Sequence, residues 1–185
     1  MNYYGSKELA AAFRTVRKNT VQIAEEIPEN KYDFKPSPEA RSVAQTLSHL
    51  AVAPQFFTYV HVNKIIDMQS VNFQEVFGPL MAEEQKPRTK AELVELLKTE
   101  GDKFASFLEG MSESDLAEHV NMSPMAGGGS KSRFEMLLSP KEHEMHHRAQ
   151  LMTIQRMIGQ VPHLTRQMQE RMAQMQQQAQ PAGQR

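Results

Sequence analysis

The segment KEHEMHHRAQL, which spans residues 141–151, is the starting point for predicting the fold of this chain. It places His143 and His147 four residues apart, and on a helix this spacing puts both side chains on one face, with Cβ atoms roughly 6 Å apart. The same face continues downstream through Leu151, Ile154 and Ile158. The pattern therefore predicts a helix that turns two imidazoles toward the protein interior, where their ring nitrogens need partners.

Helical periodicity also marks three stretches upstream, and no stretch shows convincing strand alternation. The first helix is predicted to begin at its N-cap Ser6 and to stop before Pro28, because proline cannot continue the hydrogen-bond ladder. The third is predicted to begin at Thr89, which forms a capping box with Glu92, and to end at Gly110.

The second helix is predicted over residues 42–67, with a bend at Pro54 because proline cannot donate a hydrogen bond to the Leu50 carbonyl. Residues 68–88, which include a Gly-Pro pair, are predicted to be a connector. Residues 119–132, which include three consecutive glycines, are predicted to be a flexible loop rather than a phosphate-binding loop.

The start of the fourth helix is open between two alternatives, although Gly159 predicts its end. One long, kinked helix would include Phe134 and Leu137. Two shorter helices would instead separate at Ser139-Pro140, which is itself a good start signal.

The chain is predicted to be one all-α domain over residues 1–162, followed by a Gln- and Met-rich tail over residues 163–185. Periodicity alone does not fix how the four helices wind. The tail predicts a marginal amphipathic helix and then a disordered end, with an apolar stripe at Leu164, Met168, Met172 and Met175. Such a stripe more often packs on the protein itself or on a sister subunit than on a cofactor.

Composition excludes several classes of protein. The 185 residues include no cysteine, so disulfide scaffolds, iron–sulfur clusters and thiol nucleophiles are ruled out. The 21 Lys and Arg residues against 22 Asp and Glu argue against nucleic-acid binding. A secretory signal and a membrane-spanning stretch are both missing from the sequence pattern, so a cytoplasmic protein without a membrane partner is expected.

A third histidine is needed if the pair is to form a stable metal site with open positions. His49 is the best candidate, because it lies on an apolar stripe of the second helix; His61, His119 and His163 are weaker candidates. The alternative for the pair is a set of hydrogen-bonded core histidines. Residues 143–147 also match the HExxH pattern of zinc proteases, but no downstream ligand follows, so a protease is not favoured.

The stretches SVAQTLSHL at residues 42–50 and HEMHHRAQL at residues 143–151 together resemble the DinB-like family of metalloenzymes. The resemblance covers roughly residues 6–159. It implies an up-down-down-up four-helix bundle, usually a homodimer, that holds a divalent metal such as zinc or nickel. Ala149 departs from the glycine that the family commonly has, and the tail has no family counterpart.

The resemblance implies that His49, His143 and His147 are the metal ligands. Gln45, Glu142, His146 and Arg148 are further candidates for supporting the ligands or contacting substrate, and Glu144 is a candidate for proton transfer. Glu142 and Glu144 are equally explained as solvated charges at a helix start, and Arg148 as a structural ion-pair partner.

Two hypotheses for function follow. The first is a metal-dependent enzyme that activates water or transfers a low-molecular-weight thiol to a small electrophile, as characterised members of the family do with bacillithiol or mycothiol. Since the chain has no cysteine, the sulfur would come from a cosubstrate. The alternative is a stress-related binding or interaction protein, with a structural or vestigial metal site and the Met-rich tail as its partner surface.

Overall fold

A computed structural model describes residues 4–179 of the chain, and helices make up most of this part. The helices are α1 Ser6–Glu26, α2 Val43–Val52, α3 Pro54–Val62, α4 Phe73–Glu84, α5 Lys90–Glu109, α6 Glu113–Ala117, α7 Arg133–Met157 and α8 His163–Ala179. The strands β1 His119–Asn121 and β2 Ser130–Ser132 form one antiparallel hairpin. Helices α1, α5, α7 and the α2–α3 pair form a four-helix bundle, which confirms the predicted fold class.

Side-chain pairs along the bundle fix the directions of its helices. They are Arg14–Glu109 and Glu25–Lys98 between α1 and α5, Arg17–Glu144 and Glu26–Gln155 between α1 and α7, and His49–His143 and His61–Arg133 between the α2–α3 pair and α7. Helix α1 is therefore antiparallel to α5 and parallel to α7, whereas the α2–α3 pair is antiparallel to α7. This is the up-down-down-up order that the family resemblance implies.

A buried arginine joins all four helices of the bundle. Arg17 of α1 lies 2.9 and 3.1 Å from the two carboxylate oxygens of Glu144 on α7. It also donates to the carbonyls of Leu97 on α5, at 3.0 Å, and Leu50 on α2, at 2.8 Å. A Cβ atom at Gly101 of α5 would lie 2.7 Å from Cγ of Arg17, so glycine provides the space for this side chain.

The second helix of the bundle is shorter and more divided than the sequence predicted. Helix α2 ends at Val52 and α3 begins at Pro54, so the predicted bend is a break between two helices. Helix α3 ends at Val62 rather than at Asp67, and Lys64 just beyond it has a positive φ of 51°, which a helix cannot continue.

The predicted connector over residues 68–88 contains α4, so that prediction was wrong. Asn72 caps the helix by accepting a hydrogen bond from the Glu75 amide, and Pro79 lies inside it. None of its residues is fully buried, which explains why its sequence lacks a strong apolar stripe. Its last residue, Glu84, is held on α2 because the Ser48 hydroxyl donates to the Glu84 carbonyl at 2.7 Å.

The predicted loop over residues 119–132 contains the small β-hairpin. Each strand has three residues, and Val120 alone among them is buried, which gives too short a pattern to recognise as a strand. The three glycines form the turn, where Gly127, Gly128 and Gly129 have φ values of 92°, 65° and 71° that favour glycine.

The structure decides between the two alternatives for the start of the fourth bundle helix, since α7 is continuous through Pro140 and is capped by Ser132. At the first helix, the N-cap of α1 is Gly5 rather than the predicted Ser6. The amphipathic helix predicted for the tail is present as α8, and only its start packs on the bundle. The predicted disordered end falls largely on residues 180–185, outside the described part.

Within residues 4–179, no helix is both long and apolar enough to cross a lipid bilayer.

Replacing Arg17 with Met should destabilise the protein by about 3–5 kcal/mol, because Glu144 would be left buried without its partner. Arg14→Met is the matched control: it lies on the same helix, but its pair with Glu109 has side chains 42% and 47% exposed. Such a pair contributes at most about 1 kcal/mol. Urea denaturation followed by circular dichroism measures both, and equal losses would show that the Arg17 pair has no special role.

Candidate metal centre

Three histidines from two helices converge at one side of the bundle. His49 comes from α2, and His143 and His147 lie one turn apart on α7. Their candidate ligand atoms all lie within 4.8 Å of one another, and the ring centroids are 4.6 to 4.9 Å apart. The structure therefore brings together the three residues that the resemblance implies as ligands.

His49 is oriented by a carboxylate from α4. Its Nδ1 atom lies 2.8 Å from Oε2 of Glu84, and since a carboxylate only accepts, Nδ1 carries the proton and donates it. The other oxygen of Glu84 pairs with Nε of Arg41 at 3.3 Å. The free lone pair of His49 is thus fixed on Nε2, which faces the other two histidines.

His147 is oriented in the same way by an amide from its own helix. Its Nδ1 atom donates to Oε1 of Gln150 at 2.8 Å, which leaves the lone pair on Nε2. Gln150 in turn donates from Nε2 to the ring of His146 at 3.1 Å. Burial and the neighbouring imidazoles lower the pKa of His147, so it is held neutral.

His143 lies between the other two. Burial, together with the charges that His147 and His49 would carry, lowers its pKa to about 4, so it is neutral at physiological pH. Its Nε2 atom lies only 2.9 Å from Nε2 of His49. Two lone pairs at that distance repel unless a proton or a cation lies between them.

This arrangement fits a divalent transition metal. Neutral imidazoles are ligands that zinc, nickel and copper accept, and carboxylate or amide partners at the remote nitrogen are typical of metal-bound histidines. Three protein ligands leave coordination positions for water or substrate. An open cavity of about 440 Å³ borders His49 and His143, so a small molecule could reach those positions.

The weaker predicted residues lie outside the cluster. Gln45 is exposed and completes the capping box of α2, since its side chain accepts from the Ser42 amide at 2.9 Å. Glu142 and His146 are both exposed; the His146 ring packs edge-on against His147, with centroids 5.0 Å apart, and accepts from Gln150.

Glu144 and Arg148 face the bundle interior instead. Glu144 is 1% exposed and is paired with Arg17, so its carboxylate supports the fold. Arg148 is half-buried; burial lowers the pKa of its guanidinium, and the negative charge of Glu144 opposes that shift. Although residues 143–147 match HExxH, the glutamate is turned away from the position of a general base.

The other candidate histidines are distant from the centre. His61 accepts a hydrogen bond from Arg133 at 3.0 Å, and His119 contacts Ser130 at 2.9 Å within the hairpin. His163 begins α8 and contacts Asn19 at 3.2 Å.

Sequence reasoning missed Glu84 and Gln150, which orient two of the three histidines. Gln150 could have been found, because it follows His147 by three residues on the same helix and therefore shares its face. Glu84 lies in the segment predicted as a connector, and no motif or spacing in the sequence relates it to the histidines.

Comparison with known proteins agrees with this description. A sequence model of the DinB superfamily matches residues 12–151. YjoA of Bacillus subtilis is 25% identical over 154 residues, which cover 83% of this chain and 91% of YjoA. The crystal structure of YjoA superposes with a TM-score of 0.63 at 21% identity, over 83% of this chain and 94% of that one.

A second solved structure shares the fold at lower identity. YfiT from Bacillus subtilis is described as a probable metal-dependent hydrolase with an unusual four-helix bundle topology. It superposes with a TM-score of 0.64 at 13% identity, over 86% of this chain and 91% of its own. With the family model covering most of the bundle, the chain belongs to the DinB superfamily.

Proposed function

We propose that this protein is a divalent-metal-dependent enzyme that transfers a low-molecular-weight thiol to a small electrophilic substrate. The observation that carries the proposal is the cluster of His49, His143 and His147, in which two rings are locked with their lone pairs toward a common point. A metal at that point would supply Lewis acidity and lower the pKa of a bound thiol or water.

The side chains of the site favour a thiol over water as the nucleophile. Water is harder to deprotonate than a thiol, and zinc proteases that contain HExxH use the glutamate of this motif as the general base. Here Glu144 is paired with Arg17, and Glu84 is paired with His49 and Arg41. A thiol, whose unperturbed pKa is about 8.5, needs far less help to ionise. Because the chain has no cysteine, that thiol comes from a cosubstrate.

Metal affinity should follow the hydrogen-bond pattern of the site. His147→Ala removes a ligand and should weaken zinc or nickel binding by more than about 100-fold, whereas Glu84→Gln should weaken it by about 10–100-fold. His119→Ala is the control, since this exposed histidine lies in the hairpin and should leave affinity unchanged. Calorimetric titration measures all four proteins, and equal affinity of wild type and His147→Ala would refute the metal centre.

Turnover distinguishes thiol transfer from hydrolysis. The metal-loaded protein is incubated with 1-chloro-2,4-dinitrobenzene and, in turn, cysteine, glutathione, coenzyme A, bacillithiol or mycothiol. We expect the thioether to form at least about tenfold faster than with His147→Ala, because the nucleophile and the electrophile are held together. Dinitrophenol formed without any thiol would indicate hydrolysis instead, and no enhancement with any thiol would contradict the transfer reaction.

A role in self-association has its own support in α8. From Arg166 to Gln178 every residue of this helix is exposed, and Met168, Met172 and Met175 are 58%, 50% and 69% exposed. A short helix without packing is marginal in water, so its apolar face favours a partner. We propose that the partner is a second copy of the chain, which gives the homodimer.

Truncation after Pro162 tests that role of α8. We expect the shortened chain to dissociate at concentrations where the full chain is dimeric, as measured by analytical ultracentrifugation. The triple variant Met168→Gln, Met172→Gln, Met175→Gln should behave like the truncation while leaving the anchored start of the helix intact. An unchanged oligomeric state in both would contradict an interface through α8.

A further inference from the structure

The cavity beside the three histidines has an apolar wall. It has a volume of about 440 Å³, which lies within the roughly 300–1,000 Å³ typical of small-molecule sites. His49 and His143 border it, so a molecule inside it would meet the site of chemistry. Its apolar lining consists of Val52, Ala53, Phe56, Phe57, Phe77, Leu80 and Met81.

Aromatic rings from α3 and α4 form a flat face in this cavity. Phe56 and Phe77 are stacked, with ring centroids 4.7 Å apart and an interplanar angle of 25°. Phe57 packs edge-on against Phe56 at 5.5 Å. Phe77 remains 37% exposed and Met81 56% exposed, so apolar surface is left open to a ligand. Stacked rings of this kind favour another flat apolar group.

The charged groups at the cavity pair with each other. Arg41, whose side chain is 47% exposed, contacts one oxygen of Glu84 through Nε, and the other oxygen accepts from His49. The remaining polar lining residues, Gln85 and Ser139, are neutral. In the metal-free protein, an anionic ligand would lose hydration against the apolar wall and would meet only a solvent-exposed guanidinium, whereas an uncharged apolar ligand would lose little.

We propose that this cavity selects the electrophilic substrate of the enzyme by its body, which is uncharged and flat, and is aromatic or similarly apolar. The inference rests on the proposed function for the identity of the ligand as substrate, but binding in the cavity is measurable on its own. The aromatic wall holds the body, and the end of the molecule nearest His49 and His143 carries the reactive group. Helix α4, which supplies Phe77, Leu80 and Met81, is thus the element that sets specificity.

Two naphthalene probes with the same ring system test the selectivity. The uncharged 2-naphthol and the anionic 2-naphthoate are titrated into the protein with and without a chelator, and the fluorescence of the probes is followed. The chain contains no tryptophan, so little protein fluorescence interferes. In the presence of chelator, we expect the protein to bind 2-naphthol at least about tenfold more tightly than 2-naphthoate, because only the anion must lose the hydration of a charge.

Matched variants locate the binding. Phe77→Gln should weaken 2-naphthol binding by about tenfold or more, since it removes one ring of the stacked wall. Tyr59→Gln is the control, because Tyr59 is an aromatic residue of α3 that is 41% exposed and does not line the cavity. Ala53→Leu should also weaken binding, by filling the cavity from the opposite side, and circular dichroism confirms that each variant is folded.

Several results would overturn the inference. They are no binding of 2-naphthol, equal binding of both probes, or equal loss in Tyr59→Gln and Phe77→Gln. Binding that falls as the protein dimerises would show that a second copy covers the cavity. Metal titration separates this inference from the proposed function. A His147-dependent metal site without 2-naphthol binding defeats the substrate class alone. Binding of 2-naphthol by a protein that takes up no metal in the titration defeats the enzyme alone.

Discussion

The structure depends on one buried guanidinium. Arg17 reaches from α1 to a carboxylate on α7 and to backbone carbonyls on α2 and α5, so a single side chain contacts every helix of the bundle. A buried charge is tolerated only when it is paired and its donors are satisfied. Two local features make this contact workable. Pro54 cannot donate to Leu50, whose carbonyl is then free for Arg17, and Gly101 leaves room for the arginine side chain.

The same contact positions the candidate metal centre. Glu144, which pairs with Arg17, directly follows His143 on α7, and Leu50, which accepts from Arg17, directly follows His49 on α2. Arg17 therefore fixes the position of α2 along α7. The two groups that it contacts on these helices are each one residue away from a histidine of the site. Because this buried pair sets the positions of the helices, the imidazoles of His49 and His143 face each other, with their Nε2 atoms 2.9 Å apart. The fold and the site thus share one determinant of register.

What the sequence could predict was limited to local patterns. Four-residue spacing and an apolar stripe indicated His143 and His147 as candidates, and a second stripe made His49 the best third one, but the family resemblance was needed to imply all three as metal ligands. Capping boxes placed the start of α5 correctly. Helix α4 was not predicted, because none of its residues is fully buried and Pro79 interrupts its sequence. Glu84, at the end of that helix, was therefore not recognised as a residue of the site. Its partner His49 lies 35 residues away, and only the folded chain brings the two together.

The distribution of carboxylates bears on which chemistry this member of the superfamily supports. The HExxH pattern taken alone would assign Glu144 to proton transfer. In the structure Glu144 is instead buried in the core, where it pairs with Arg17. Glu84 is likewise engaged, by His49 and Arg41. Neither of these two carboxylates is therefore free to take a proton from a bound nucleophile. A metal held by the three histidines would itself lower the pKa of bound water, from about 15.7 in bulk to about 7 at a zinc site. A thiol starts from a pKa of about 8.5, so the thiol transfer proposed for this site would need a smaller shift than hydrolysis would.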